Sequence, residues 1–131
     1  MSADRRRIWL FGISAIANWG AGALLYFRPP LVQGALGIPR LEGMAIVLAD
    51  FCGLLVALFG FAYACVAYDP ARFRPYIPLG IAGKLIAVAL VWSASIRGTI
   101  GIAPSFLVAA DLVFAALFVA YLLKPPARES Q

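Results

Sequence analysis

The chain has 131 residues, of which 63% are hydrophobic and 13% are charged, and its formal net charge is +5. Soluble domains are roughly 45 to 50% apolar and about 25% charged, so this composition excludes a soluble domain and predicts an integral membrane protein. The sequence contains no histidine, which excludes histidine-dependent metal sites, haem sites and hydrolases and leaves Asp, Glu, Lys and Tyr for any acid-base chemistry. We therefore expect no cofactor and no bound metal.

Four apolar runs follow one another along the chain, and each of them carries at most one charged residue. Each run is long enough for the roughly 20 helical residues that span the core of a bilayer. The sequence therefore predicts an all-α integral membrane protein that forms an antiparallel four-helix transmembrane bundle, as one domain over residues 1–131. The predicted helices lie near 8–28, 43–68, 76–96 and 101–123.

The first run permits a second interpretation. Arg5, Arg6 and Arg7 precede an apolar stretch and small residues follow at 21–23, a pattern that is also typical of a cleaved secretory signal. The run continues without a charge as far as Arg28, however, and this length favours a membrane-spanning helix.

The basic residues lie mostly at the ends of the runs and predict the orientation of the chain. Cytoplasmic loops carry an excess of Lys and Arg, and a cytoplasmic N-terminus would place seven basic residues on that side against three on the other. We therefore expect both termini to be cytoplasmic, and we expect no nucleic-acid partner. The seven are Arg5, Arg6, Arg7, Arg72, Arg74, Lys124 and Arg128, and the three are Arg28, Arg40 and Arg97.

The connections between the runs differ in character. Residues 69–75 and 96–101 are short turns with Pro or Gly, which predicts that the helices they join are antiparallel neighbours. Residues 29–42 contain too many aliphatic side chains for a solvated loop. We expect this segment to lie in the outer interface or to fold over the mouth of the bundle.

Three ionisable residues lie inside the runs, each on a different predicted helix, and Asn18 lies in the first. A charge near the bilayer centre costs on the order of 2.5 to 3.5 kcal/mol, and such residues face the bundle interior and pair with one another. Their positions predict that Asn18, Lys84 and Asp111 lie within roughly 5 Å of the midplane, with Asp50 about 7 to 8 Å towards the outer face. We predict that Asp50, Lys84, Asp111 and Asn18 form a buried site for a ligand or a proton.

The charges of this predicted cluster do not balance. One lysine and two aspartates leave one carboxylate in excess, so we expect one of the two aspartates to hold a proton. The alternative is a paired network that only fixes the register of the helices.

A weak internal repeat has a period near sixty residues. Ala49-Asp50 and Ala110-Asp111 each precede a similar string of Ala, Leu, Phe and Tyr. This similarity predicts two tandem helical hairpins related by a pseudo-twofold axis along the membrane normal, although apolar helices also resemble one another by chance.

The layout of the polar residues is similar to that of a known group. Asp50 in the second predicted helix, Gly83-Lys84 in the third and Ala-Asp-Leu-Val-Phe at 110–114 in the fourth resemble uncharacterised bacterial four-helix inner-membrane proteins, which are broadly similar to DoxX-like proteins. The resemblance covers most of the chain and implies a small bundle that acts beside redox or biosynthetic partners in the bacterial inner membrane. Cys52 and Cys65 would be about 20 Å apart along one helix, which argues against the thiol-redox role of some DoxX-like relatives.

Three classes of function remain. The first is an accessory subunit or a bundle that binds a lipophilic ligand, which the small-residue helix faces favour. The second is a proton-coupled small-molecule transporter with Asp50 or Asp111 as the proton carrier. The third is a membrane-embedded isomerase or cyclase with an Asp as general acid, so enzymatic activity stays open. The expected partners are membrane lipid, a lipophilic small molecule, another membrane protein or a second copy of the chain.

Overall fold

The computed structural model describes residues 3–123, and these residues form five helices. Four of the helices are long and apolar enough to span a membrane, so the predicted all-α transmembrane bundle is confirmed and the chain is a multi-pass membrane protein. Three of the four spans agree with their predicted bounds to within two residues. The helices are α1 Ala3–Phe27, α2 Pro30–Leu36, α3 Met44–Tyr68, α4 Tyr76–Ile96 and α5 Ala103–Leu122.

Helix α1 begins five residues before its predicted start at residue 8. The apolar run starts at Ile8, but Arg5, Arg6 and Arg7 belong to the same helix because arginine is a good helix former and nothing in this stretch terminates the helix. The predicted orientation also counts Lys124 and Arg128, which lie outside the described residues.

The connection after α1 contains the additional helix α2. Pro30 is its first residue, where the missing N–H of proline costs nothing, and Gly37 ends it with a φ of 64°. Residues 36–39 then lie against residues 98–101 around a cavity of about 400 Å³, which Pro104 of α5 also lines. The segment thus covers part of this end of the bundle, as its aliphatic side chains predicted.

The spanning helices pack as two pairs. Helix α1 packs along α3 and α4 along α5, and each of these pairings is much more extensive than any packing between the pairs. We call α1 with α3 hairpin 1, and α4 with α5 hairpin 2. This pairing agrees with the predicted tandem hairpins, while their pseudo-twofold relation stays a prediction.

Hairpin 1 is held by a close approach of two helix backbones. A Cβ atom built at Gly22 would lie 2.6 Å from the carbonyl oxygen of Gly53, and one built at Gly53 would lie 2.8 Å from that of Gly22. Any side chain at these positions would separate the helices, so glycine is required at both. Such contacts between small residues are a principal source of helix association in membranes.

The two hairpins meet in one half of the bundle. We call the end that holds residues 3 and 123 the terminal end, and the opposite end, which carries α2, the α2 end. Phe11, Tyr63 and Phe118 are fully buried in the terminal half and join the hairpins. The Phe118 ring centroid lies 4.8 Å from that of Phe11 and 5.1 Å from that of Tyr63.

The facing surfaces of the hairpins are exposed in the α2 half. On α5, Phe118 is fully buried, whereas Leu107, which lies three turns nearer the α2 end on the same face, is 56% exposed. On α3, Phe59 packs against Gly83 of α4, whereas Leu55, one turn nearer the α2 end, is 40% exposed. These exposures indicate that the hairpins pack less closely above the middle of the bundle, and we call the region between the helix faces that carry Leu55 and Leu107 the cleft.

Candidate functional site

Lys84 and Asp111 form an ion pair at the centre of hairpin 2. The Lys84 Nζ atom lies 2.5 Å from Oδ1 of Asp111. Lys84 is two residues from the midpoint of α4 and Asp111 is within two residues of the midpoint of α5, so both lie about 3 Å or less from the middle of their helices. The predicted pairing of these two residues agrees with the structure, and their depth in a bilayer stays a prediction.

Asn18 connects this ion pair to hairpin 1. Its Oδ1 atom accepts a hydrogen bond from Lys84 Nζ at 3.3 Å, and its Nδ2 group donates to the carbonyl oxygen of Val56 at 3.2 Å. One side chain on α1 therefore contacts both α3 and α4. This arrangement fixes the direction of the Asn18 amide, because the amide oxygen must face the ammonium group.

Two aromatic rings enclose the Lys84 ammonium group. Nζ lies 5.5 Å from the ring centroid of Tyr63 and 5.1 Å from that of Phe114, within the range of cation–π contacts. Gly80 makes room for the Tyr63 ring, because a Cβ atom at Gly80 would lie 2.5 Å from Cε1 of Tyr63. The sequence prediction did not include Tyr63 among the site residues. The signal available in the sequence was Gly80, which lies one helical turn before Lys84 inside a membrane span and leaves room for a large side chain from a neighbouring helix.

The two partners of the ion pair differ in exposure. The side chain of Lys84 is 4% exposed, whereas that of Asp111 is 30% exposed. Leu107, one turn from Asp111 on the same helix face, is also exposed, so Asp111 lies on the face of α5 that borders the cleft. The site thus presents a hydrogen-bond acceptor at mid-membrane depth and keeps its ammonium group enclosed.

Asp50 is not part of this site, so the predicted cluster of three charges is wrong. Its Oδ1 atom lies 2.5 Å from Nη1 of Arg28, at the α2 end of hairpin 1. The sequence prediction assigned Arg28 only to the count of basic residues in the connections. Asp50 and Asp111 therefore belong to two separate ion pairs and do not form one unbalanced cluster with Lys84.

The pairing of α1 with α3 explains why Arg28 reaches Asp50. The contact of Gly22 with Gly53 sets an antiparallel register in which Arg28 and Asp50 both lie further towards the α2 end. Arg28 directly follows the last residue of α1 and precedes Pro29, and its own φ is 47°. Its Nη1 group also donates a hydrogen bond to the carbonyl oxygen of Leu25 at 2.9 Å. The backbone turn and the second hydrogen bond direct the guanidinium group back along α3.

These pairs remove the reason for expecting a proton on an aspartate. Each carboxylate has its own cation, so neither ion pair carries an excess negative charge. The use of Lys84, Asp111 and Asn18 for ligand or proton binding stays a prediction, and any such use of Asp50 would concern its separate ion pair with Arg28.

A second polar group lies between α4 and α5 near the α2 end. The Ser95 hydroxyl donates a hydrogen bond to the carbonyl oxygen of Gly101 at 3.0 Å, and its oxygen lies 2.8 Å from the hydroxyl oxygen of Ser105. The Trp92 indole donates to the carbonyl oxygen of Ser105 at 3.2 Å. An open cavity of about 390 Å³ lies beside this group. It is lined by Trp92, Ser95, Ile96, Ile102, Ser105, Phe106 and Ala109.

Neither of the two cavities described above is lined by an ionisable residue. Among the described residues, no three His, Cys, Asp or Glu side chains are placed to hold a metal ion. Cys52 and Cys65 are free thiols.

Comparisons of the chain with protein-family models, with curated proteins and with solved structures found no match. The geometry of Lys84, Asp111 and the cleft is consequently the basis on which a function can be assigned.

Proposed function

We propose that this membrane protein binds a lipophilic small molecule in the cleft, with the Lys84–Asp111 pair and Asn18 as the polar end of the binding site. The observation that carries the proposal is the 30% exposure of the Asp111 side chain near the middle of a membrane-spanning helix. A carboxylate that faces hydrocarbon there would be costly. A polar group of a bound molecule would satisfy it.

The shape of the bundle supports the same proposal. The terminal half is closed by buried aromatic rings, so a bound molecule could not pass through it. In the α2 half, Leu55 and Leu107 provide apolar walls on the two hairpins. Residues 36–39 cover part of the α2 end, so we expect a lipophilic molecule to enter sideways from the bilayer, between the hairpins.

The other classes of function have less support. A proton-coupled transporter was favoured by the unpaired carboxylate, and the Arg28–Asp50 pair removes that reason. A membrane-embedded isomerase or cyclase would need an acid beside an enclosed pocket. An accessory role beside a larger membrane complex is compatible with ligand binding, and the resemblance to DoxX-like proteins is the reason for retaining it.

We also propose the bacterial inner membrane as the location, with both termini in the cytoplasm. The unequal distribution of seven and three basic residues supports this orientation. Modification of single cysteines introduced in residues 69–75 and 96–101 tests it: a membrane-impermeant thiol reagent should label intact cells only at the second position, in a background without Cys52 and Cys65. The opposite pattern would reverse the orientation.

The ligand proposal is tested by native mass spectrometry of the chain released from a mild detergent. We expect a bound lipophilic molecule on the natural chain and its loss in Leu107→Trp, because the indole would fill the cleft beside Asp111. The matched control is Leu117→Trp, since Leu117 is also exposed on α5 but lies nearer the terminal end, away from the cleft. Absence of a bound molecule from the natural chain, or equal retention in both variants, would reject the proposal.

A further inference from the structure

We infer that the ligand of the cleft is a neutral lipid whose polar end is a hydroxyl or an equivalent hydrogen-bond donor, and that this group donates to the open side of the Asp111 carboxylate. The inference rests on the proposed function, since it names the chemical class of the molecule bound at the same site. Three properties of the site lead to it: which atoms are reachable, what charge they carry and how deep they lie.

Lys84 is not available to a ligand. Its side chain is 4% exposed, and its ammonium hydrogens are directed at Asp111 and Asn18 beneath two aromatic rings. A ligand with a carboxylate or phosphate needs a donor or a positive charge to bind, and the reachable side of this site offers neither. The site therefore selects against anionic lipids.

Asp111 is available, and only as an acceptor. Its described hydrogen bond is made through Oδ1, to Lys84, and its side chain is 30% exposed on the helix face that also carries Leu107. An ionised carboxylate has about four acceptor positions on its two oxygens, so acceptor capacity is left for a donor from the ligand. Hydrogen bonds to a charged acceptor are roughly twice as strong as neutral ones.

The charge of the pair favours a neutral donor over a cation. Lys84 and Asp111 together carry no net charge. An alkylammonium ligand would leave one uncompensated positive charge near the bilayer centre, which is the arrangement that buried charges avoid. A hydroxyl group satisfies the carboxylate and keeps the site neutral.

The depth of Asp111 limits the size of the polar end. Asp111 lies about 2 Å along the helix axis from the midpoint of α5, so we expect the donor to reach roughly the middle of a hydrocarbon core that is about 30 Å thick. A large zwitterionic headgroup would have to leave the interface entirely. A single hydroxyl on a long apolar chain can reach this depth at much lower cost.

Photo-crosslinking in phosphatidylcholine nanodiscs tests the inference. The probes are a diazirine-bearing hexadecanol, its methyl ether, and the corresponding hexadecanoic acid and hexadecylamine. We expect the alcohol to label the peptides around Leu55 and Leu107 about tenfold more than the ether, the acid or the amine. A tenfold ratio corresponds to 1.4 kcal/mol.

Two variants separate the head-group interaction from the cleft itself. Lys84→Met with Asp111→Leu replaces the ion pair by apolar side chains of similar size, a change that buried pairs often tolerate, and it should lower labelling by the alcohol to the level of the ether. Asp50→Asn, which removes the negative charge of the other ion pair, should leave labelling by the alcohol unchanged.

The outcomes distinguish the two proposals. Equal labelling of the cleft by alcohol and ether, blocked in both cases by Leu107→Trp, would overturn the inference and leave the proposed function standing. Preferential labelling by the acid or the amine would also overturn the inference alone. If no probe labels the cleft, because a second copy of the chain covers it or because the hairpins close, both proposals are wrong.

Discussion

The two hairpins of the bundle each hold one aspartate against one basic residue, but at different depths. In hairpin 2, Asp111 meets Lys84 near the middle of both helices, and Asn18 and two aromatic rings complete the surroundings. In hairpin 1, Asp50 meets Arg28 where α1 ends, and both side chains are partly exposed, at 33% and 21%.

The way in which the helices are held together differs between the hairpins as well. Hairpin 1 has a contact of glycine backbones at Gly22 and Gly53 and does not need its ion pair to bring the helices together. Hairpin 2 has polar contacts between its helices, at Lys84–Asp111 and at Trp92–Ser105. The comparison indicates that the ion pair of hairpin 2 lies in the core of the structure, whereas that of hairpin 1 is an addition at its edge.

The largest effect is expected from removing one partner of the central pair. Lys84→Met leaves Asp111 as an unpaired carboxylate inside the span, and breaking a buried pair in this way costs about 3 kcal/mol or more. Titration with a denaturing detergent, followed by circular dichroism, would measure the loss in the free energy of unfolding. The same change at Arg28 should cost much less.

The double variant provides the control for this prediction. Lys84→Met with Asp111→Leu should recover most of the lost stability, because apolar side chains of similar volume can replace a buried ion pair without large cost. A double variant as unstable as the single one would show that the lysine stabilises the fold by contacts other than its ion pair.

The next effect separates the closed half of the bundle from the cleft. Phe118→Ala removes a fully buried ring that touches Phe11 and Tyr63, and the cavity should cost about 2 kcal/mol. Leu107→Ala removes a side chain that is 56% exposed, and its effect should be within about 0.5 kcal/mol. Equal losses for the two variants would mean that the cleft is closed in the membrane.

Sequence reasoning predicted the fold well because membrane spans depend on local composition. Each of the four runs meets the length requirement alone, so no knowledge of its neighbours was needed. The short helix α2 was not predicted, because seven residues in a connection give too weak a periodic signal. Its position over one end followed from its aliphatic residues.

The site was predicted only in part, because pairing depends on how helices meet. Lys84, Asp111 and Asn18 share a depth and were correctly placed together, since polar residues at one depth turn inward. Asp50 was wrongly assigned to the central cluster because its partner, Arg28, lies just outside the apolar runs, in a predicted connection. An arginine can reach back by one turn, and only the register of α1 against α3 shows that it does.

A smaller effect is expected from the glycine contact of hairpin 1. Gly53→Ala places a methyl group against the carbonyl oxygen of Gly22, at a built distance of 2.8 Å, and the helices must separate at a cost of about 1 to 2 kcal/mol. Gly20→Ala is the matched control, because a Cβ atom there meets nothing within 4 Å and alanine favours the helix. Equal results for the two variants would contradict the proposed contact.

The smallest effect is expected at the edge of hairpin 1. Arg28→Met should lower the free energy of unfolding by about 0.2 to 1 kcal/mol, because Arg28 lies just beyond the end of its span, where water can solvate the guanidinium group, and solvated pairs contribute little. Added salt should reduce the difference further for this pair, since exposed charges are screened, and should leave the effect of Lys84→Met almost unchanged. A loss at Arg28 as large as that at Lys84, or the same salt dependence at both, would mean that the two pairs lie in equivalent surroundings. In that case the distinction between a core pair and an edge pair would fail, and the depth of Asp111 could no longer support a ligand site at the centre of the membrane.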